Sequence, residues 1–213
     1  MIALTFDDGP DPETTPVLLD LLKTHGAKAS FFVVGEEVRK YPAIVERAYA
    51  EEHAICNHSW SHRSLPTLPV SEQFREIARC SSVIGKWETP IFRPPYGHQS
   101  IRSRWIAGNL GKRVVIWSAY VEDWRRQPMP ILARRIRNAM QPGAILLLHD
   151  SIRISPEVVP SPDLQFDRTP LLETLDTELK HLTSRFQFVT LPQLCKLGRP
   201  KYRNWFWSRD SVA

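Results

Sequence analysis

Short runs rich in apolar, β-branched and aromatic residues recur along the chain, at 2–6, 29–35, 54–57, 91–93, 113–118, 144–148 and 186–191. Each has the length of a strand and is too short for a stable helix. Between most of them the apolar positions change to a helical period. In 16–25, Val17, Leu18, Leu21 and Leu22 share one face, and Gly26 ends the segment. In 42–52, Ile44, Val45 and Ala48 do the same, and 70–87, 100–110, 130–140 and 170–182 supply four more helices. Gly85, Gly111 and Gly143 fall near segment ends, where a helix stop favours glycine.

Seven strands alternating with helices predict a parallel α/β fold. No G-x-G-x-x-G follows the first strand, so the dinucleotide-binding form of a doubly wound sheet is unsupported. A barrel of strand–helix units fits better. No fixed-period repeat or low-complexity linker divides the chain. The expected organisation is one domain over 1–197 and a basic, aromatic tail over 198–213, packing on the domain or fraying.

Composition narrows the class. Hydrophobic residues make up 42% and charged residues 24% of the 213 positions, the balance of a soluble globular protein. No apolar run is long enough to span a bilayer, so no integral membrane segment is expected. The start, MIALTF, has neither a basic n-region nor a long apolar h-region. That fits a cytoplasmic protein or an exported one whose leader has been trimmed. Cys56, Cys80 and Cys195 are too few and too scattered for a disulfide framework or a zinc ribbon, and buried packing is expected for them. The net charge of +5 is spread over several elements without a nucleic-acid motif, so nucleic acid is not an expected partner; an anionic glycan stays compatible. Nothing in the pattern speaks to oligomeric state.

The candidate chemistry follows the strands. Asp7 and Asp8 come after the first, NHSWSH with His58 and His62 after the third, RPPYG with Arg93 and Tyr96 after the fourth, VEDW with Asp123 and Trp124 after the fifth, and the sixth ends in LLLHD, with His149. In parallel α/β folds, functional groups gather beyond the carboxyl ends of the strands. Two histidines four apart are expected on one face of a helical turn, and with a carboxylate they form a His-His-Asp set. That set suits zinc with positions open for water, and equally non-haem iron. One of the two adjacent carboxylates would ligate the cation and the other would accept a proton from water. His149, after a strand apolar throughout, reads as a satisfied core histidine or as the acid for a leaving group. Arg93, held before two prolines, would orient a carboxylate.

In this order, TFDDGP, NHSWSH, FRPPYG, VEDW and LLLHD resemble the NodB-homology polysaccharide deacetylases, carbohydrate esterase family 4. The resemblance runs from residue 2 to about 197. It implies a distorted (β/α)7-type barrel, a divalent metal (zinc first, cobalt or nickel also compatible) and removal of acetyl groups from N-acetylated sugars or acetylated polysaccharides. It implies Asp7 as general base, Asp8, His58 and His62 as metal ligands, and Arg93 as the partner of Asp7. It places the backbone N–H of Tyr96 toward the oxyanion and Leu147 along the acetyl methyl. His149 would be the general acid, tuned by Asp123 and supported by Trp124.

The chain departs from the family at three points. Tyr120 stands where an Asp is usual, which bears on the tuning of His149 and not on the metal ligands. Cys56 replaces a usual Gly, and the family ordinarily has further sequence before its first motif. With acid and base both represented, an amide of an N-acetylglucosamine glycan, of chitooligosaccharide or peptidoglycan type, is the expected substrate. The rivals are O-deacetylation of a glycan such as acetylxylan, a non-catalytic glycan-binding homologue, and an iron oxygenase on the same ligand set.

Overall fold

The computed structural model describes residues 1–199 and 201. Seven strands, β1 (Ala3–Asp7), β2 (Ala29–Val33), β3 (Ala54–Asn57), β4 (Glu88–Phe92), β5 (Arg113–Val114), β6 (Ala119–Tyr120) and β7 (Ile145–His149), form one sheet. Every pairing is parallel, in the order β5-β4-β3-β2-β1-β7-β6. The sheet curls into a half-barrel, as the alternation of strand and helix patterns predicts. Helices α1 (Thr15–Thr24), α2 (Gly35–Lys40), α3 (Pro42–Ala50), α4 (Val70–Ile84), α5 (Ile101–Asn109), α6 (Met129–Ala139), α7 (Thr169–Leu182) and α8 (Leu191–Leu197) complete it, with 3-10 turns at Leu65–Thr67, Gly85–Trp87 and Pro95–Gly97.

The period-2 pattern of the strands separates two apolar layers. Leu4, Phe6, Phe31, Val33, Leu146 and Leu148 point outward and pack on Leu18, Leu22, Val45, Leu175 and Leu179 of the surrounding helices. Ala3, Phe32, Cys56 and Ile91 point inward and meet Val189, Leu191 and Leu194. Burying a side chain such as Phe6 or Leu148 completely stabilises the fold by roughly 2 kcal/mol.

Several expected elements change. The run 186–191 is no full strand: Phe188 makes a single parallel bridge to Ile2, and Leu191 already opens α8. Thr190 and Gln193 form a capping box there, with Pro192 in the first turn, and that local signal overrides the β-branched run. The helix then lays Leu191 and Leu194 into the amino-terminal end of the half-barrel. The run 113–118 keeps only its first two residues as β5, and the chain crosses to the opposite edge to form β6. Helix α2 falls in a polar stretch, GEEVRK, that carries no apolar helical period. Of the expected tail, residue 200 and residues 202–213 lie outside the described residues. Cys56 and Cys80 are buried, Cys195 is partly so, and all three are free. No helix among the described residues is long and apolar enough to cross a membrane.

Candidate active site

Successive strand residues send side chains to opposite faces, so Asp7 and Asp8 should diverge. Asp8 instead turns left-handed, with φ +81°, and its side chain comes back to the same site. The turn is pinned from β7. Asp150 Oδ1 accepts from Gly9 N at 3.2 Å, and its Oδ2 accepts from Thr15 Oγ1 at 2.6 Å. A Cβ on Gly9 would collide with the Asp150 carboxylate, which these two hydrogen bonds hold in place, so the position requires glycine. Burial pushes the Asp150 carboxyl up to about 7, with the Asp8 charge adding to the rise and the Thr15 hydrogen bond opposing it.

His58 and His62 reach Asp8 from a loop, not from the expected helical turn. Ser59 and His62 are both left-handed, with φ +67° and +59°. Glu76 of α4 holds the loop, accepting from Trp60 N, Ser61 N and Ser61 Oγ at 3.1, 2.9 and 2.7 Å. His62 Nε2 stands 3.0 Å and His58 Nε2 3.4 Å from Asp8 Oδ1. His58 Nδ1 lies 2.8 Å from the Arg93 carbonyl, which fixes that nitrogen as the donor and turns the Nε2 lone pair to Asp8.

All three side chains are buried, and one donor atom from each lies within 4.8 Å of the others. Asp8 Oδ1 is buried without a well-formed hydrogen bond. An orphaned carboxylate oxygen facing two imidazole nitrogens is a donor set that fits a divalent cation. Burial alone would raise the Asp8 carboxyl, but the His62 charge and the nearby ring nitrogens of both histidines outweigh it and hold the group well below the usual carboxylate range. Cys56 is not in this set, and burial pushes its thiol up, away from the thiolate a metal would need.

Arg93 is wholly buried beneath these groups. Its Nη1 donates to Asp7 Oδ1 at 2.6 Å and Thr5 Oγ1 at 2.9 Å, and Nε donates to the Val115 carbonyl at 3.3 Å. Its Cζ lies 3.9 Å from the centroid of the Phe32 ring. The guanidinium therefore ties β1 to the chain leaving β5, and fixes Asp7 with Oδ2 3.6 Å from His58 Nε2. Tyr96, left-handed in its 3-10 turn, packs its ring 4.6 Å from that of His62.

The register pairs Asp7 with His149, so the first acid and the last imidazole occupy neighbouring strand ends. His149 Nδ1 lies 3.1 and 3.3 Å from the two oxygens of Asp123, and the His149 backbone N–H donates to Asp123 Oδ2 at 2.9 Å. Burial would lower the imidazole, but the charge and hydrogen bond of Asp123, then the Asp8 and Asp7 charges, raise it to about 9. Trp124 stands edge-on to His149 at 5.4 Å, and Leu147 is buried two residues before it. His149 thus takes its charged partner from Asp123.

Sequence reasoning missed Arg168. Buried just before α7, it donates to Asp123 Oδ2 at 3.2 Å and to the Asp123 and Gln165 carbonyls. Missed too was the path of 151–168. Arg153 N donates to Asp8 Oδ2 at 2.8 Å, and Ser155 N to Tyr96 Oη at 2.9 Å. Glu157 pairs with Arg63, Leu164 bridges Arg125, and Gln165 N donates to the Trp124 carbonyl. The segment is a strap across both sides of the site.

Known proteins share this sequence pattern and this fold. The family model described as polysaccharide deacetylase matches residues 1–115. The peptidoglycan-N-acetylglucosamine deacetylase PgdA of Listeria monocytogenes is 33% identical over 198 residues, 91% of this chain, which spans only 38% of that protein's length. A chitooligosaccharide deacetylase of Sinorhizobium fredii is 30% identical, with 90% of each chain covered. The solved structure of the peptidoglycan deacetylase PdaC from Bacillus subtilis superposes with a TM-score of 0.79 at 32% identity, covering 92% of this chain and 90% of that one. The chain belongs to the polysaccharide deacetylase family.

Proposed function

We propose that this protein hydrolyses N-acetyl groups of N-acetylglucosamine-containing glycans of peptidoglycan or chitooligosaccharide type, using a divalent cation, zinc first, held by Asp8, His58 and His62. The observation that carries the reading is the opposed pair at the ends of β1 and β7. Asp7 is a carboxylate fixed by Arg93 beside the cation set, and His149 is an imidazole kept protonated by Asp123. A cation bound at the three ligands supplies Lewis acidity toward the acetyl carbonyl and toward the attacking water.

The chain's own groups do the rest. Asp7 accepts the proton of the water as it attacks. The Tyr96 backbone N–H donates to the oxygen that gains charge. Leu147 receives the acetyl methyl. His149, charged below about pH 9, donates its proton to the departing nitrogen. An amide needs that proton more than an ester does, because an amide anion leaves far less readily than an alkoxide. This favours the N-acetyl over the O-acetyl substrate.

The test is acetate release from chitin oligomers, peptidoglycan and acetylxylan, with and without chelator, alongside elemental analysis of the purified protein. Chelator-sensitive release from the first two supports the reading. Release from acetylxylan alone moves the activity to esters, and metal-loaded protein that frees no acetate from any glycan leaves a binding protein. A redox-active iron with oxygen-dependent turnover would assign the ligand set to oxidation.

A further inference from the structure

We infer that Tyr120 is a sugar-stacking residue, holding the apolar face of a pyranose ring at the acid side of the cleft. The inference rests on the glycan substrate proposed above and adds a specificity determinant to it.

The argument begins with register. Tyr120 pairs with Leu147, and Leu147 pairs on its other side with Thr5. In-register residues of a parallel sheet direct their side chains to one face. Thr5 Oγ1 meets the Arg93 guanidinium inside the half-barrel, so this row faces the concave side. The neighbouring residue confirms the phase, since Ala119 packs against the outer core with the helices. Tyr120 is therefore an inward-facing aromatic, yet 57% of it is exposed to solvent.

Its ring is not isolated. It lies 6.0 Å from the Trp124 ring at an angle of 31°, and Trp124 lies 5.4 Å from the His149 ring at 78°. An aromatic line thus runs from the acid to the open edge of the sheet, beginning beside the residue expected to receive the acetyl methyl. An exposed ring on the concave face has one side unused, with its hydroxyl still able to stay wet. Binding sites combine such apolar surfaces with a few polar groups that fix orientation. A β-linked pyranose with equatorial substituents presents axial C–H groups as a flat apolar face of matching size, which an electron-rich ring attracts. That chemistry selects glycan over a bare acyl group.

The test compares Tyr120→Ala and Tyr120→Phe with the unaltered protein. Two substrates are used, chitotetraose and 4-nitrophenyl acetate, which has an acetyl group but no pyranose. Equilibrium binding of chitotetraose is measured separately by calorimetry. For Tyr120→Ala, the KM and Kd for chitotetraose should rise by about three- to tenfold. The KM for 4-nitrophenyl acetate and the pH limb set by His149 should stay unchanged, and Tyr120→Phe should behave as the unaltered protein. Equal rises for both substrates, a displaced pH limb, loss on Tyr120→Phe, or unchanged binding would each overturn the inference. If the unaltered protein binds chitotetraose but releases no acetate, the deacetylase reading fails, while the Kd comparison still decides Tyr120. Absence of any binding overturns the stacking role outright.

Discussion

The two sides of the cleft solve the burial of charge differently. At the end of β7, His149, Asp123 and Arg168 form a closed set, each group paired within the protein. At the end of β1, Asp8 and the two histidines converge on a buried oxygen that lacks a good donor. Buried ionised groups are stable only when paired or bound to a cation. One side is thus complete by itself, while the other is built to be completed by a ligand. Loss of the cation should therefore disturb the Asp8 side and leave the imidazole side intact.

That contrast can be broken most severely at the ligands. We expect His58→Ala, which removes a ligand without removing a charge that acts on His149, to lower acetate release on the order of a thousandfold or more. Elemental analysis should show the metal lost, while an NMR titration should show His149 still titrating near its unaltered pH. A shifted His149 titration would mean that the two sides are one network.

Next comes His149→Ala, expected to reduce amide hydrolysis by about 10²–10⁴-fold and ester hydrolysis by much less, with metal content unchanged. Equal losses on a chitin oligomer and an aryl acetate would remove the acid role.

A third measurement sharpens the tuning. His149 is raised to about 9, so its charged form, and the stability gained from pairing with Asp123, are fully present below about pH 6.5 and lost as pH rises through about 9. Asp123→Asn removes the main raising partner, and the alkaline limb of the kcat profile should move toward neutral pH. At neutral pH the expected loss is about tenfold. An unmoved limb would assign the tuning elsewhere.

The smallest effect lies on the strap. Glu157 meets Arg63 at the surface, where an ion pair contributes about 1 kcal/mol or less. Thermal melting of Glu157→Ala should reflect no more than that. A larger drop would show that the strap's outer tether helps hold the two sides together.

The strand exits were legible because parallel strands deliver their last residues to one end, so the sequence alone collects Asp7, Asp8, His58, His62, Arg93, Asp123 and His149. What holds them was not. Arg168 and Glu76 reach the site from elements far away in sequence, and no local spacing links Arg168 to Asp123 or Glu76 to the NHSWSH loop. The i, i+4 spacing of His58 and His62 looked helical, yet left-handed Ser59 and His62 bring the rings together from a loop. The apolar pattern of 186–191 fits a strand as well as the entry to a helix, and only the Thr190–Gln193 cap decides between them. Edge strands β5 and β6 are two residues each, too short for alternation to register.

Helix α8 has a consequence at the far end of the molecule. Leu191 and Leu194 act as a cork in the lower mouth of the half-barrel, below Phe32 and the guanidinium that rests on it. Deleting residues 190–197 would hydrate that interior from beneath, weaken the Arg93–Asp7 pair by letting solvent compete for it, and loosen the proposed base without touching any other group of the proposed site. On that expectation, the alignment of Asp7 at one mouth of this scaffold rests on dryness maintained from the other.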